Sequence, residues 1–200
     1  MDVTFIMDSS ECISEANFQK EKNFVKQAAQ KLGVAPGQSR AAIIQFSRTV
    51  SVKANFGQYS SKQQFEGAVD GLQYELSRTA SYEAKTQIDE ALNLAAQDVF
   101  AKSETTNRRF AILLTDGKQL IGATEVSHLK AASTNLRKLG VRLLVVTMGT
   151  SSSELDKVLK LVTERKEDVV MADQLNDLLN RLPRMIACGE YNLSYIAICH

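Results

Sequence analysis

An α/β domain built on a mostly parallel sheet, Rossmann-like and doubly wound, is the fold class this sequence predicts, and three observations carry it. Short apolar runs recur along the chain, several without polar alternation, as strands covered on both faces require. Stretches with helical apolar period lie between them. One segment breaks the rhythm by alternating polar and apolar residues, the pattern of a half-exposed strand.

Residues 3–7 form the first apolar run, followed by a helical stripe of Phe18, Val25, Ala29 and Leu32 that Gly33 ends. Residues 41–46 are the second run. Directly after it, residues 49–56 alternate, which predicts a short antiparallel edge strand on an otherwise parallel sheet. Ile88, Ala91, Leu92, Ala95 and Val99 make the next helical stripe, and residues 110–114 the next strand. Val126, Leu129, Ala132, Leu136 and Leu139 follow, ended by Gly140, then a strand over 141–148. Leu155, Val158, Leu159 and Val162 make a shorter helix, 169–171 a last strand, and Leu175, Leu178, Leu179 and Leu182 a last helix that Pro183 is expected to kink or interrupt. Strand and helix alternate throughout, with no internal repeat or Pro-rich linker, so one domain is expected.

Composition narrows the partners. Of 200 residues, 24 are Lys or Arg and 23 Asp or Glu, a net charge of +1 without a block of like charges, so nothing marks a nucleic-acid surface. The apolar runs are too short to span a bilayer, and no charged-then-apolar leader opens the chain. The expectation is a soluble chain without membrane insertion, a piece already stripped of any signal peptide. Arg108, Arg109, Arg137, Lys138 and Arg142 read as solvated edges and helix ends; Lys157, Lys160, Arg165 and Lys166 form a mildly basic helix end suited to a sulfated glycan.

In an open α/β sheet, ligands bind outside the carboxyl ends of the strands. The first strand ends in "IMDSSEC", residues 6–12, and the fourth in "LLTDG", residues 113–117. Thr86 lies just before a helix, as an N-cap would. Asp8, Asp116 and nearby hydroxyls make an oxygen-rich pocket suited to Mg²⁺ or Ca²⁺ rather than zinc. Taken singly, Asp8 reads as a capping residue, Asp116-Gly117 as a turn and Ser9 as a backbone hydrogen-bonding residue. Two histidines, His128 and His200, are too few for a triad or a His-rich centre, and no Gly-x-Ser-x-Gly, Gly-x-Gly-x-x-Gly or phosphate-loop run occurs, so no enzymatic role is expected. Two rivals stand beside a binding module: an intracellular scaffold of the same fold and a Mg²⁺-dependent hydrolase.

The Asp-x-Ser loop after a first strand, a threonine before an Ala-Leu helix and a Leu-Thr-Asp-Gly strand end resemble the metal-ion-dependent adhesion site of von Willebrand factor type A domains. "CISEANF" and "VVMADQLNDLLNRLPRMIAC" resemble that family's first-helix opening and last strand and helix, so the likeness covers nearly the whole chain. It implies an extracellular adhesion or matrix-assembly module over 1–188, binding collagen or another matrix protein, or another acidic protein ligand, with self-association compatible. Carried over, Ser10 and Thr86 ligate a divalent cation (Mg²⁺, Ca²⁺ or Mn²⁺) through their hydroxyls, and Asp8 and Asp116 do so directly or through water. Cys12 stands where the family has a second serine, and a soft thiol is a poor ligand for such an ion. The loop before Thr86, often glycine-rich in the family, is bulkier here. Glu11, Lys85 and Lys118 are expected to face the partner. Cys188 and Cys199 could bridge the tail 189–200 back to the domain, which requires an oxidising compartment and hence secretion; reduced thiols are the alternative.

Overall fold

The computed structural model describes residues 1–10, 13–35, 37–75, 87–104, 106–116, 123–148 and 153–187. Six strands form one sheet: β1 (Asp2–Asp8), β2 (Arg40–Phe46), β3 (Val50–Ala54), β4 (Arg109–Thr115), β5 (Val141–Thr147) and β6 (Val169–Met171). Their order is β3-β2-β1-β4-β5-β6, parallel except for β3, which pairs antiparallel with β2 as the alternation of 49–56 predicts. β1 is central, with Asp8 opposite Phe46 of β2 and Met7 opposite Leu114 of β4. The chain winds outward from β1 in one direction to β2 and, after returning, in the other through β4 to β6. The switch point between the two windings therefore lies between β1 and β4, where open sheets of this kind bind ligands.

Among the described residues six α-helices cover the sheet: α1 (Glu15–Lys31), α2 (Lys62–Asp70), α3 (Ile88–Leu94), α4 (Ala123–Lys138), α5 (Ser153–Val162) and α6 (Leu175–Ala187). Alternate residues of β1 feed the two faces. Val3, Phe5 and Met7 pack with Phe18 and Val25 of α1, Phe65 of α2 and Leu178 of α6; Ile6 packs with Leu92 of α3, Leu129 of α4 and Val158 of α5. The stripes read from the sequence are thus the faces that bury. α1 starts at Ser14, whose hydroxyl accepts from the Asn17 N–H at 3.1 Å, and Gly33 leaves it with φ 63° while the Val34 N–H returns to the Ala29 carbonyl.

Four sequence expectations need correction. α2 has no counterpart in the reading above, because Phe65 and Val69 are its only fully buried apolar residues and too sparse to register as a period. The 88–99 stripe is α only through Leu94; a π turn over Ala95–Val99 and a 3₁₀ turn over Phe100–Lys102 complete it. Pro183 does not end the last helix, which continues to Ala187. Proline costs that helix one backbone donor, while Leu178, Leu179, Leu182 and Met185 stay buried along it. Finally, Arg109 and Arg142 are buried rather than solvated. Arg109 donates to the carbonyls of Ser103 and Leu139, and Arg142 donates twice to Asp168 Oδ1, at 3.0 and 2.7 Å.

At the opposite end of β1 from the switch point, Asp2 is fully buried and accepts from Arg40 Nε and Nη2, both at 2.7 Å, from Ser103 and from Asn107. Burial alone would raise its pKa; the Arg40, Ser103 and Asn107 bonds together outweigh that and hold it below the usual 3.8. A depressed carboxyl stabilises the fold above its unfolded pKa, and that stability is lost as pH falls through the folded value. Urea unfolding of the wild type between pH 4 and pH 2 is therefore expected to lose more stability than that of Asp2→Asn, and at pH 7 the variant is expected to be about 3 kcal/mol less stable because Arg40 keeps its position beside a neutral group.

Candidate functional site

Asp8 is the last residue of β1 and has no solvent exposure. Its Oδ1 accepts from the Ser10 N–H at 2.9 Å and its Oδ2 from the Thr115 hydroxyl at 2.8 Å. The second bond follows from the parallel register, since Met7 opposite Leu114 puts Thr115 beside Asp8. Burial pushes the Asp8 carboxyl up to about 6; the Ser10 and Thr115 donors pull it back and the charge of Asp116 pushes with burial. Asp116, 3% exposed, follows directly on β4.

The loop after β1 is fixed from several sides. Ser9 gives both its N–H and its hydroxyl to the Phe46 carbonyl, at 2.8 and 3.2 Å, which is the backbone role the sequence suggests for it. The Ile13 N–H returns to the Ser10 carbonyl, the buried Ile13 side chain anchors the turn, and the Tyr74 hydroxyl donates to the Ile13 carbonyl at 2.7 Å. From β5, the Met148 N–H bonds the Thr115 carbonyl, and the Met148 carbonyl accepts from Asn17 of α1 at 3.2 Å. Strand ends and the start of α1 are locked into one unit.

Two acceptors inside that unit have no partner. The Ser10 hydroxyl is buried beside the Asp8 carboxylate, close enough to favour its charged form, yet makes no hydrogen bond of acceptable geometry. Glu21 of α1 is fully buried and neither of its carboxyl oxygens is hydrogen-bonded. Burial first, then the charges of Asp8 and Asp116, drive its pKa well above the usual 4.5, against a pull from the Asp8 backbone N–H. Buried polar groups are satisfied in the great majority of cases, so orphaned oxygens beside two aspartates call for a cation or a water shell.

The structure thus brings Asp8, Ser10 and Asp116 together at the switch point. Glu11, Cys12, Lys85, Thr86, Lys118, Cys188 and Cys199 lie outside the described residues. The cap position of α3 falls on Gln87, one residue beyond Thr86, and its side chain makes no capping bond. Glu21 is absent from the sequence reading, and Thr115 figures there only within the strand-end motif, not as a site residue. A signal for Glu21 is present all the same: the α1 stripe Phe18, Val25, Ala29, Leu32 passes through position 21, where the period calls for an apolar residue. Among the described residues no three His, Cys, Asp or Glu side chains gather closely enough to hold an ion alone. The Asp8 and Asp116 carboxylates and the Ser10 hydroxyl are hard oxygen groups, of the kind that suits Mg²⁺, Ca²⁺ or Mn²⁺.

An open, doubly wound domain with a buried acidic and hydroxyl site at its switch point is the class of protein that fold and site define. Within that class, the chain belongs to the von Willebrand factor type A domain family, whose model matches residues 2–182. It is 26% identical over 167 residues to rat von Willebrand factor, 82% of this chain and 35% of that protein, and 27% identical over 184 residues to human matrilin-3, 91% of this chain and 36% of that protein. The chain spans about a third of the length of these relatives. Among solved structures, proximal thread matrix protein 1 from the mussel byssus superposes with a TM-score of 0.73 at 25% identity, covering 92% of this chain and 45% of that one. A second structure of that protein, with a TM-score of 0.70 and 21% identity over 91% of this chain and 46% of that one, has zinc in its MIDAS motif. The manganese-loaded Plasmodium vivax TRAP protein shares the fold with a TM-score of 0.74 at 17% identity, over 93% of this chain and 73% of that one.

Thr115 and Ser9 separate two kinds of contribution. Thr115→Val strips a donor from a buried carboxylate oxygen and is expected to cost about 1–3 kcal/mol, whereas Ser9→Ala removes a hydroxyl from a carbonyl that already accepts an N–H and is expected to cost under about 1 kcal/mol. Urea unfolding in EDTA measures both.

Proposed function

We propose that this domain is an extracellular protein-binding module of adhesion or matrix assembly, joined to an acidic group of a matrix protein such as collagen through a divalent cation at the switch point. The observation that carries the reading is the buried, unpartnered Ser10 hydroxyl beside the Asp8 carboxylate and next to Asp116. The matrix and adhesion character of the family relatives supports the setting, and the metal-loaded structures of the mussel and Plasmodium proteins support the cation.

In this reading Asp8 and Asp116 supply the negative charge, Ser10 and Thr86 supply neutral oxygens, and Cys12 supplies none of useful hardness. When bound, the ion offers an exchangeable position that a partner's carboxylate can fill. Asp8 is held for that task by Ser10 N–H and Thr115, so its free lone pairs point where those donors are not. Glu11, Lys85 and Lys118 belong to the rim that meets the partner. A domain spanning 1–188 with its tail returned by a Cys188–Cys199 disulfide, and secretion of the parent protein, complete the proposal.

Calorimetric titration of the metal-stripped chain with Mg²⁺, Ca²⁺ and Mn²⁺ is expected to show saturable binding, lost in Asp8→Ala and tightened in Cys12→Ser. Binding to immobilised collagen or other matrix proteins is expected to be abolished by EDTA and by Asp8→Ala; EDTA-insensitive binding would sink the cation bridge while leaving the fold untouched.

A further inference from the structure

The family's site is built from loops at the strand ends, and Glu21 belongs to none of them. It sits in the second turn of α1, on the helix face that also buries Phe18, Val25, Ala28 and Ala29. That face is otherwise core, and its other charged member, Lys22, has its own partners: its Nζ donates to the carbonyls of Asp70 at 2.7 Å and Leu72 at 3.1 Å, closing the end of α2. Glu21 has no such account. Among the described residues no cation pairs with it, neither buried oxygen has a hydrogen bond of acceptable geometry, and beyond the Asp8 backbone N–H the groups that reach it are the two aspartates of the site. A buried carboxyl beside two others, with no hydrogen bond of acceptable geometry at either oxygen, is a costly arrangement that positive charge entering between them would relieve.

We propose that Glu21 is a third carboxylate of the cation site, acting on the bound ion from beneath through its water shell rather than as a direct ligand. Outer placement follows from the spacing, because Asp8, Asp116 and Glu21 do not come together closely enough to share an ion by direct ligation. The residue offsets the loss of a hard oxygen at Cys12 with charge, from the helix side instead of the loop side. It shifts the preference of the site toward ions that keep several waters, Mg²⁺ and Mn²⁺, over Ca²⁺, which takes more direct oxygens. The inference rests on cation binding by the domain as proposed above, and the experiment separates the two.

The full chain, with Glu21→Gln and Glu21→Leu, is titrated with Mg²⁺, Mn²⁺ and Ca²⁺ by calorimetry, and each protein is melted in EDTA. Expected is a tenfold or greater loss of Mg²⁺ and Mn²⁺ affinity in both variants, with a smaller loss for Ca²⁺, together with a melting temperature of Glu21→Leu in EDTA above that of the wild type, since leucine removes the unpaired buried polar group that glutamine keeps. Unchanged affinity with raised stability would overturn the inference and leave Glu21 a misfit of the core, while cation binding by the wild type stands. Lowered stability of both variants in EDTA would also overturn it, because Glu21 would then have a satisfied structural role. Absence of any binding by the wild type would overturn this inference and the cation reading together.

Discussion

A carboxylate with no access to solvent, at the end of the central strand, is the constraint around which this domain is arranged. Asp8 is tolerated because the Ser10 N–H and the Thr115 hydroxyl each take one oxygen, the first from its own loop and the second only when β1 and β4 are in register. Neighbouring bonds serve the same register: Ser9 ties the loop to β2, Met148 ties β5 to β4, and Asn17 ties α1 to β5. Two donors still leave the charge expensive, as the upward displacement of the Asp8 pKa shows. The price is borne at a place where the backbone of four strands and one helix converges, so the site is stiff before anything binds to it. Stiffness of that kind lowers the ordering cost of association.

The charged groups at the two ends of β1 make an instructive contrast. Asp2 and Asp8 are both fully buried aspartates, at the first and last positions of one strand. Asp2 meets a guanidinium, a hydroxyl and an amide, which hold its pKa below the usual carboxyl range; Asp8 meets neutral donors and another carboxylate, and its pKa is raised. The first is a closed structural contact that needs nothing further. The second has neutral donors and lies beside Asp116 and Glu21, and that difference in partners separates the switch-point end of the strand from its opposite end.

Much of this was legible before the structure. Strands buried on both faces announce themselves as unbroken apolar runs, and all six were visible, including β3 with its alternation. Asp8 and Asp116 were visible because they stop such runs. α2 was not, since its stripe is only Phe65 and Val69, and its start at Ser61 is marked by a single hydroxyl on the Gln64 N–H. Thr115 escaped notice as a site residue because its role depends on strand register, which pairing decides and local sequence does not. Glu21 was passed over for a different reason: an isolated charge on a helical stripe reads as an ordinary polar interruption until its burial is known. Arg109 and Arg142 show the same ambiguity from the basic side, since charge at a strand start looks solvated unless its partners are in view.

Arg142 has a further consequence at the far edge of the sheet. β6 is three residues long and pairs with Val145, Val146 and Thr147, so among the described residues the first half of β5 has no strand beside it on that side. In the place of a ladder stands the buried Arg142–Asp168 pair, with side chains only 6% and 9% exposed. An incoming strand from another chain would have to break that pair and strand two charges before it could add its first backbone bond. The opposite edge carries an irregularity at Ile43 and Ile44, where β3 shifts register against β2. Among the described residues, both margins of the sheet thus carry a feature that opposes the addition of another strand.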